Sequence, residues 1–194
     1  MVQMRVHHIP IPAGSALAAF RDEAPHVNAE AVAVTLPAGA AVDPQELARI
    51  AMTRPSDTPD ALLPLVDAWI KVQRIILRPF GVSPNTMNRK KPQERPVVGN
   101  RLGPYQVLAV DGHEVLIGDR DRFIHHRMSF IVTDSKAILG VVLRSLNRGG
   151  DFYWAMVRKH QTRILEQTLT RSLQRVLDGQ HEQSGQHEQR PKAN

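Results

Sequence analysis

Two adjacent histidines, His125 and His126, lie in the stretch DRDRFIHHRMSFIV and are the first candidates for chemistry. Imidazole can exchange protons near neutral pH, ligate a metal ion or hydrogen-bond a ligand. The stretch alternates like a β-strand, and neighbouring side chains of a strand point to opposite faces. The two histidines therefore cannot act as a pair. His126 shares its face with Met128 and Phe130, so we expect it to point inward.

Three roles for His126 remain open: a buried core histidine, a contact in a ligand pocket, or a catalytic or metal-binding residue. A zinc site needs three or four converging ligands. The sequence offers no HExxH pattern, and His125 is predicted to face away. The chain also has no cysteine, which excludes disulfides and thiolate ligands. We expect neither a metal nor a cofactor.

Motifs that would name a reaction are missing from the sequence. There is no GxGxxG after a strand, no GxxxxGK[ST] loop for phosphates and no GxSxG turn for a nucleophilic serine. We therefore assign no catalytic residue and expect binding rather than catalysis.

Positive charge is concentrated in two segments of a chain whose net charge is +6. Ser83–Arg101 and Arg158–Arg175 each carry five basic residues and one acidic residue. Such segments can attract an anion or an acidic partner, or they can be solvated surfaces. Nucleic acid is a poor fit, because aromatic residues make up only 5% of the chain.

The first half of the chain predicts two strands and two helices. Val2–Ile11 and Ala31–Leu36 are β-branched stretches that end near prolines. In DPQELARIAMTR, Asp43 can cap a helix whose first residue is Pro44. A longer helix is predicted in LLPLVDAWIKVQRIILRPFG, where Pro79 ends it, and a proline-rich basic loop over 83–101 follows.

The second half predicts an antiparallel meander and a final helix. The four predicted strands are Tyr105–Val110, His113–Ile117, Phe123–Thr133 and Ile138–Leu146. A hairpin turn is expected at Asp111-Gly112. Asp151 is expected to cap a helix from Phe152 to about Leu177.

This order of elements predicts an α+β fold in one domain over residues 1–178. A curved antiparallel sheet would wrap around the long C-terminal helix, with two shorter helices in the N-terminal half. Residues 179–194 contain GQHEQ twice and predict a disordered, low-complexity tail.

Several motifs resemble a bacterial family called domain of unknown function 2867, which is grouped with the helix-grip superfamily of START, birch-pollen-allergen-like and polyketide cyclase proteins (SRPBCC). The resemblance rests on HEVLIGDRDRFIHHRMSF, VVLRSLNRGGDFYWAMVRKHQTRIL and VQRIILRPFGV, and covers about Met4 to Leu173. The residues that match the family pattern are Glu114, Gly118, Asp121, Arg127, Asn147, Gly149 and His160. The chain departs from it at Phe123, His125 and His126, where the family carries histidine, aspartate and phenylalanine.

The resemblance implies a helix-grip fold and a hydrophobic or amphipathic small-molecule ligand. Some members are fused to a short-chain-dehydrogenase-like domain, so the resemblance also suggests association with such a partner.

We expect Glu114 and Arg127 to pair across adjacent strands on the exposed outer face of the sheet.

The predicted ligand cavity lies between the sheet and the final helix, where polar residues interrupt the apolar face of the helix. The predicted ligand-binding residues are His126, Met128, Phe130, Ile117, Val141, Leu143, Val157, His160, Gln161 and Ile164. Two alternatives stay open: a cyclase-like or hydrolase-like enzyme that uses the same cavity, and an interaction domain that uses the basic loop and helix.

The expected location is the cytoplasm, because no stretch approaches the length of a membrane helix and the N-terminus lacks a signal-peptide pattern.

Overall fold

A computed structural model describes residues 4–23, 27–53 and 95–188 of the 194-residue chain. The strands within these ranges are β1 (Val6–Ile9), β2 (Val27–Thr35), β3 (Arg101–Leu102), β4 (Tyr105–Val110), β5 (Glu114–Arg120), β6 (Ile124–Val132) and β7 (Lys136–Ser145). The helices are α1 (Ala16–Asp22), α2 (Pro44–Thr53) and α3 (Arg148–Glu188). The predicted helix that ends at Pro79 and most of the basic loop lie outside the described residues.

All seven strands form one antiparallel sheet in the order β1-β2-β7-β6-β5-β4-β3. β4 to β7 follow one another as hairpins, and β2 pairs with β7 along its whole length. The α+β class and the predicted meander are therefore confirmed, with the two-residue strand β3 added at its edge. None of the described helices combines the length and the apolar character needed to cross a membrane.

Two aspartates shape the turns on either side of β5. Asp111 Oδ1 accepts hydrogen bonds from the backbone N–H groups of His113 and Glu114, both at 2.7 Å. Asp121 Oδ1 accepts in the same way from Phe123 at 2.6 Å and Ile124 at 2.8 Å. Aspartate favours such turns because its short carboxylate reaches the backbone two residues on. The first turn has three residues, 111–113, rather than the predicted two.

One face of the sheet packs against α2 and α3. Phe130, Leu139 and Val141 of the sheet are at most 1% exposed, and they share a core with Leu165 and Leu169 of α3. Helix α2 begins as predicted, since Asp43 Oδ1 accepts a hydrogen bond from the N–H of Gln45. This face confirms the predicted packing of the C-terminal helix on the sheet.

The opposite face carries a second core, although the sequence predicted an exposed surface there. Helix α1, which the sequence pattern did not predict, places Leu17 and Phe20 against this face, both at most 2% exposed. Gly140 of β7 permits the approach, because a Cβ there would lie 2.7 Å from the Leu17 side chain. The sheet is thus covered by helices on both faces.

Glu114 and Arg127 do not form the predicted exposed pair. Glu114 is 7% exposed, and its carboxylate accepts hydrogen bonds from the Ser129 hydroxyl and from the N–H of Ala16 at 2.9 Å. This carboxylate therefore ties the first turn of α1 to the sheet. The guanidinium of Arg127 instead lies over the Phe20 ring, 3.9 Å from its centroid.

Helix α3 begins at Arg148, four residues before the predicted start. Its cap is Asn147 rather than Asp151: Asn147 Oδ1 accepts from the N–H groups of Gly149 at 2.9 Å and Gly150 at 3.3 Å. The two glycines therefore belong to the first turn instead of preceding the helix. At its other end α3 continues to Glu188. The predicted tail of 179–194 thus begins within this helix, residues 189–194 lie outside the described residues, and the disorder of the tail stays a prediction.

Candidate functional site

A cavity of about 110 Å³ lies where the N-terminal part of α3 meets the sheet. It is lined by Tyr105, Asp119, Asp121, Ile124, His126 and Tyr153. These residues come from β4, β5, the β5–β6 turn, β6 and α3. The cavity is smaller than the roughly 300 Å³ at which drug-sized pockets begin, so it suits a small molecule or one end of a larger one.

Strand pairing places two of the polar side chains next to each other. Asp119 of β5 and His126 of β6 are directly opposite in the sheet register. Directly opposite residues of an antiparallel pair point to the same face. Asp119 and His126 therefore face the cavity from adjacent strands.

The start of α3 is fixed to the turn that precedes β6. Asn147 Nδ2 donates a hydrogen bond to the carbonyl oxygen of Arg122 at 2.9 Å, and the N–H of Leu146 donates to that of Phe123 at 2.8 Å. Gly150 lets the backbones approach, because a Cβ there would lie 2.2 Å from the Phe123 carbonyl oxygen. This close approach brings Tyr153 to the cavity.

Burial keeps the imidazole of His126 neutral at physiological pH. Desolvation, with a smaller effect of neighbouring His125, lowers the pKa of His126 from 6.5 to about 4. Desolvation disfavours the charged imidazolium. The neutral ring can donate one hydrogen bond and accept one.

The two tyrosines retain their protons for the same reason. Burial raises the pKa of Tyr105, and Tyr153 and Asp119 raise it further. Burial, followed by Asp121, also raises the pKa of Tyr153. The Tyr105 ring lies beside His126, with 5.3 Å between ring centroids. The cavity thus combines two phenols, a neutral imidazole and two carboxyl groups with aromatic surface and Ile124.

Of the predicted ligand-binding residues, only His126 lines this cavity. Ile117, Phe130 and Val141 are at most 1% exposed and belong to the core between the sheet and α3. Leu143 is 2% exposed. Met128, Val157 and Gln161 are half-buried, and His160 is exposed. Ile164 is 57% exposed, because it lies off the face of α3 that carries Leu165 and Leu169.

Five lining residues were not predicted. Asp119 and Asp121 lie between the predicted strands His113–Ile117 and Phe123–Thr133, and Tyr105 is the first residue of another predicted strand. Strand alternation alone places Ile124 on the face of His126. Tyr153 is brought in by the long-range contact at Gly150, for which the sequence holds no local signal.

No protein-family model matches the chain, and no curated protein or solved structure matches it either. The family resemblance stays a prediction. Among the described residues, no three histidine, aspartate or glutamate side chains come close enough to hold a metal ion together.

Proposed function

We propose that this protein binds a small amphipathic molecule in the cavity between the sheet and the N-terminal part of α3. The observation that carries the proposal is the convergence of five segments on one cavity that holds both aromatic surface and unlike polar groups. Ligand sites characteristically combine apolar walls with a few polar groups that fix orientation. The neutral His126 and the protonated tyrosines can each hydrogen-bond a polar group of the ligand.

The arrangement of sheet and helix supports a helix-grip fold as part of this proposal. Helix α3 packs along one face of the antiparallel sheet through Leu165, Leu169 and Leu173. Its N-terminal part contributes Tyr153 to the lining of the cavity. In this proposal the packed half of α3 supplies stability, and the N-terminal half supplies the ligand site.

An enzyme that uses His126 as acid or base is less well supported. An efficient general acid or base has a pKa near the working pH. With a pKa of about 4, roughly one His126 in a thousand is protonated at pH 7, and the neutral ring is a weak base. His126 is therefore better suited to hydrogen-bond a ligand than to transfer a proton.

The interaction-domain alternative depends on the exposed basic side of α3, which presents Arg158, Lys159 and Arg163. It predicts that binding to an acidic partner weakens steeply as salt rises. Binding of a small ligand in the cavity would depend far less on salt.

Native mass spectrometry of the intact protein, followed by an NMR screen with small amphipathic fragments, tests the proposal. We expect a co-purified ligand or fragment to shift the signals of His126 and Tyr105. His126→Phe should abolish this binding, since a larger apolar ring removes the imidazole and fills part of the cavity. His160→Phe, on the exposed side of α3, is the matched control and should leave binding unchanged. Equal binding by wild type and His126→Phe would refute the proposed site.

A further inference from the structure

Three arginines surround His125 on the face of the sheet that α1 partly covers. Arg120 of β5 and Arg144 of β7 are each directly opposite His125 in the sheet register. Arg127 lies two residues further along β6, so strand alternation puts it on the same face. We refer to Arg120, Arg127 and Arg144 with His125 as the arginine cluster.

The arginine cluster is held close together by the backbone. Directly opposite residues in antiparallel strands have Cα atoms about 4.5–5.5 Å apart. Arg120 and Arg144 are therefore each next to His125, on either side of it, although no two of the three arginines are directly opposite each other. Their effect is visible on His125, whose pKa is lowered first by burial and then by Arg127, Arg120 and Arg144. The sheet therefore gathers positive charge around His125.

Protein groups within the described ranges do not neutralise this charge. The ion pairs there involve His8 with Glu166, Arg21 with Asp22, and Arg49 with Glu46. Glu23, which follows α1, raises the pKa of His125 but forms no ion pair in these ranges. Three arginines against one glutamate leave a net charge of +2 around a neutral His125.

The buried part of the cluster also has an unsatisfied donor. Arg127 Nε is buried and has no hydrogen-bond partner among the described residues. Its guanidinium is fixed over Phe20, whose ring also contacts His125 with 4.6 Å between centroids. A fixed guanidinium is preorganised to bind an oxyanion. A buried donor of this kind costs free energy unless an acceptor reaches it.

We propose that the arginine cluster binds a phosphate group, either as free phosphate or as a phosphomonoester of a small molecule. A phosphate carries a charge of about −1.5 to −2 at pH 7 and three acceptor oxygens, which matches the cluster better than a singly charged carboxylate does. Arg144 and the exposed Arg120 reach it from the two neighbouring strands, and His125 donates from the centre. This site is on the opposite face of the sheet from the cavity of His126.

Titrations of the full chain with inorganic phosphate, methyl phosphate and acetate test this inference, with calorimetry and NMR of His125 as readouts. We expect at least one phosphate probe to bind saturably and to raise the pKa of His125, and acetate to bind much more weakly. Tighter binding of methyl phosphate would identify a phosphomonoester as the ligand, and tighter binding of inorganic phosphate would identify the free ion. Absence of saturable binding by both phosphate probes would overturn the inference.

Substitutions locate the site. Arg144→Gln and, separately, Arg120→Gln should each weaken phosphate binding about tenfold, which is typical for loss of one charge-assisted hydrogen bond. Arg163→Gln removes the same charge from the exposed side of α3 and should have no effect. Equal weakening by Arg163→Gln would mean nonspecific attraction and would overturn the assignment. His126→Phe should retain phosphate binding, which separates this result from the test of the cavity.

Discussion

At the scale of single residues, His126 links the candidate site to stability. Its pKa is about 4 in the folded protein and about 6.5 when it is exposed. Because the folded-state pKa is depressed, the unfolded chain takes up the proton first as the pH falls. The stability associated with the neutral ring is therefore complete above pH 6.5 and is lost as the pH falls toward 4.

This linkage predicts a measurable difference between wild type and His126→Gln. Between pH 7.5 and pH 5, the free energy of unfolding of the wild type should fall by about 2 kcal/mol more than that of the variant. Denaturant unfolding at the two pH values measures this quantity. His160→Gln, which changes an exposed histidine, should follow the wild type. Parallel loss of stability in wild type and His126→Gln would contradict the depressed pKa.

Residue types and spacing predicted the orientation of this histidine but not its surroundings. Alternation along β6 is a local property, so it correctly separated His126 from His125. Asp119 lies beside His126 because of the strand register, and Tyr153 lines the same cavity because of the way α3 packs on the sheet. Both arrangements depend on contacts between residues that are distant in sequence. The polar lining residues other than His126 were therefore not predicted from the sequence.

At the scale of elements, the junction between α3 and the β5–β6 turn positions the cavity. Gly150→Ala should destabilise the protein by about 1–3 kcal/mol, because the added methyl group would clash with the Phe123 carbonyl oxygen. Gly179→Ala in the same helix is the matched control. No atom lies within 4 Å of a Cβ at that position, so helix propensity should make this change neutral or stabilising. Thermal unfolding of both variants tests the junction, and similar stabilities for the two would disprove the close approach.

The elements that the sequence predicted are those with strong local signals. Asp43 and Pro44 predicted the start of α2, and Asp111 predicted the turn between β4 and β5. Helix α1 was missed because its seven residues are too few to show a helical period. Its cap, Ser15 accepting from the N–H of Ala18, was the available signal. Without α1, the face that carries the arginine cluster was mistaken for open surface.

At the scale of the whole molecule, one sheet supports two cores, so both should unfold together. Leu17 of α1 and Leu165 of α3 are buried on opposite faces, at 0% and 2% exposure. Replacing either by alanine should lower the free energy of unfolding by about 2–5 kcal/mol. Because β5, β6 and β7 contribute side chains to both cores, loss on one face weakens the sheet that the other face needs.

The expected behaviour is a single transition in which circular dichroism and tryptophan fluorescence coincide for wild type, Leu17→Ala and Leu165→Ala. Ile164→Ala is the matched control, since Ile164 neighbours Leu165 on α3 but is 57% exposed, and it should change stability by only about 0.5 kcal/mol or less. Separate transitions in Leu17→Ala would show that α1 and its core unfold independently. In that case the arginine cluster would unfold while the cavity of His126 stayed folded. Coincident transitions would instead mean that both sites depend on the same folded sheet.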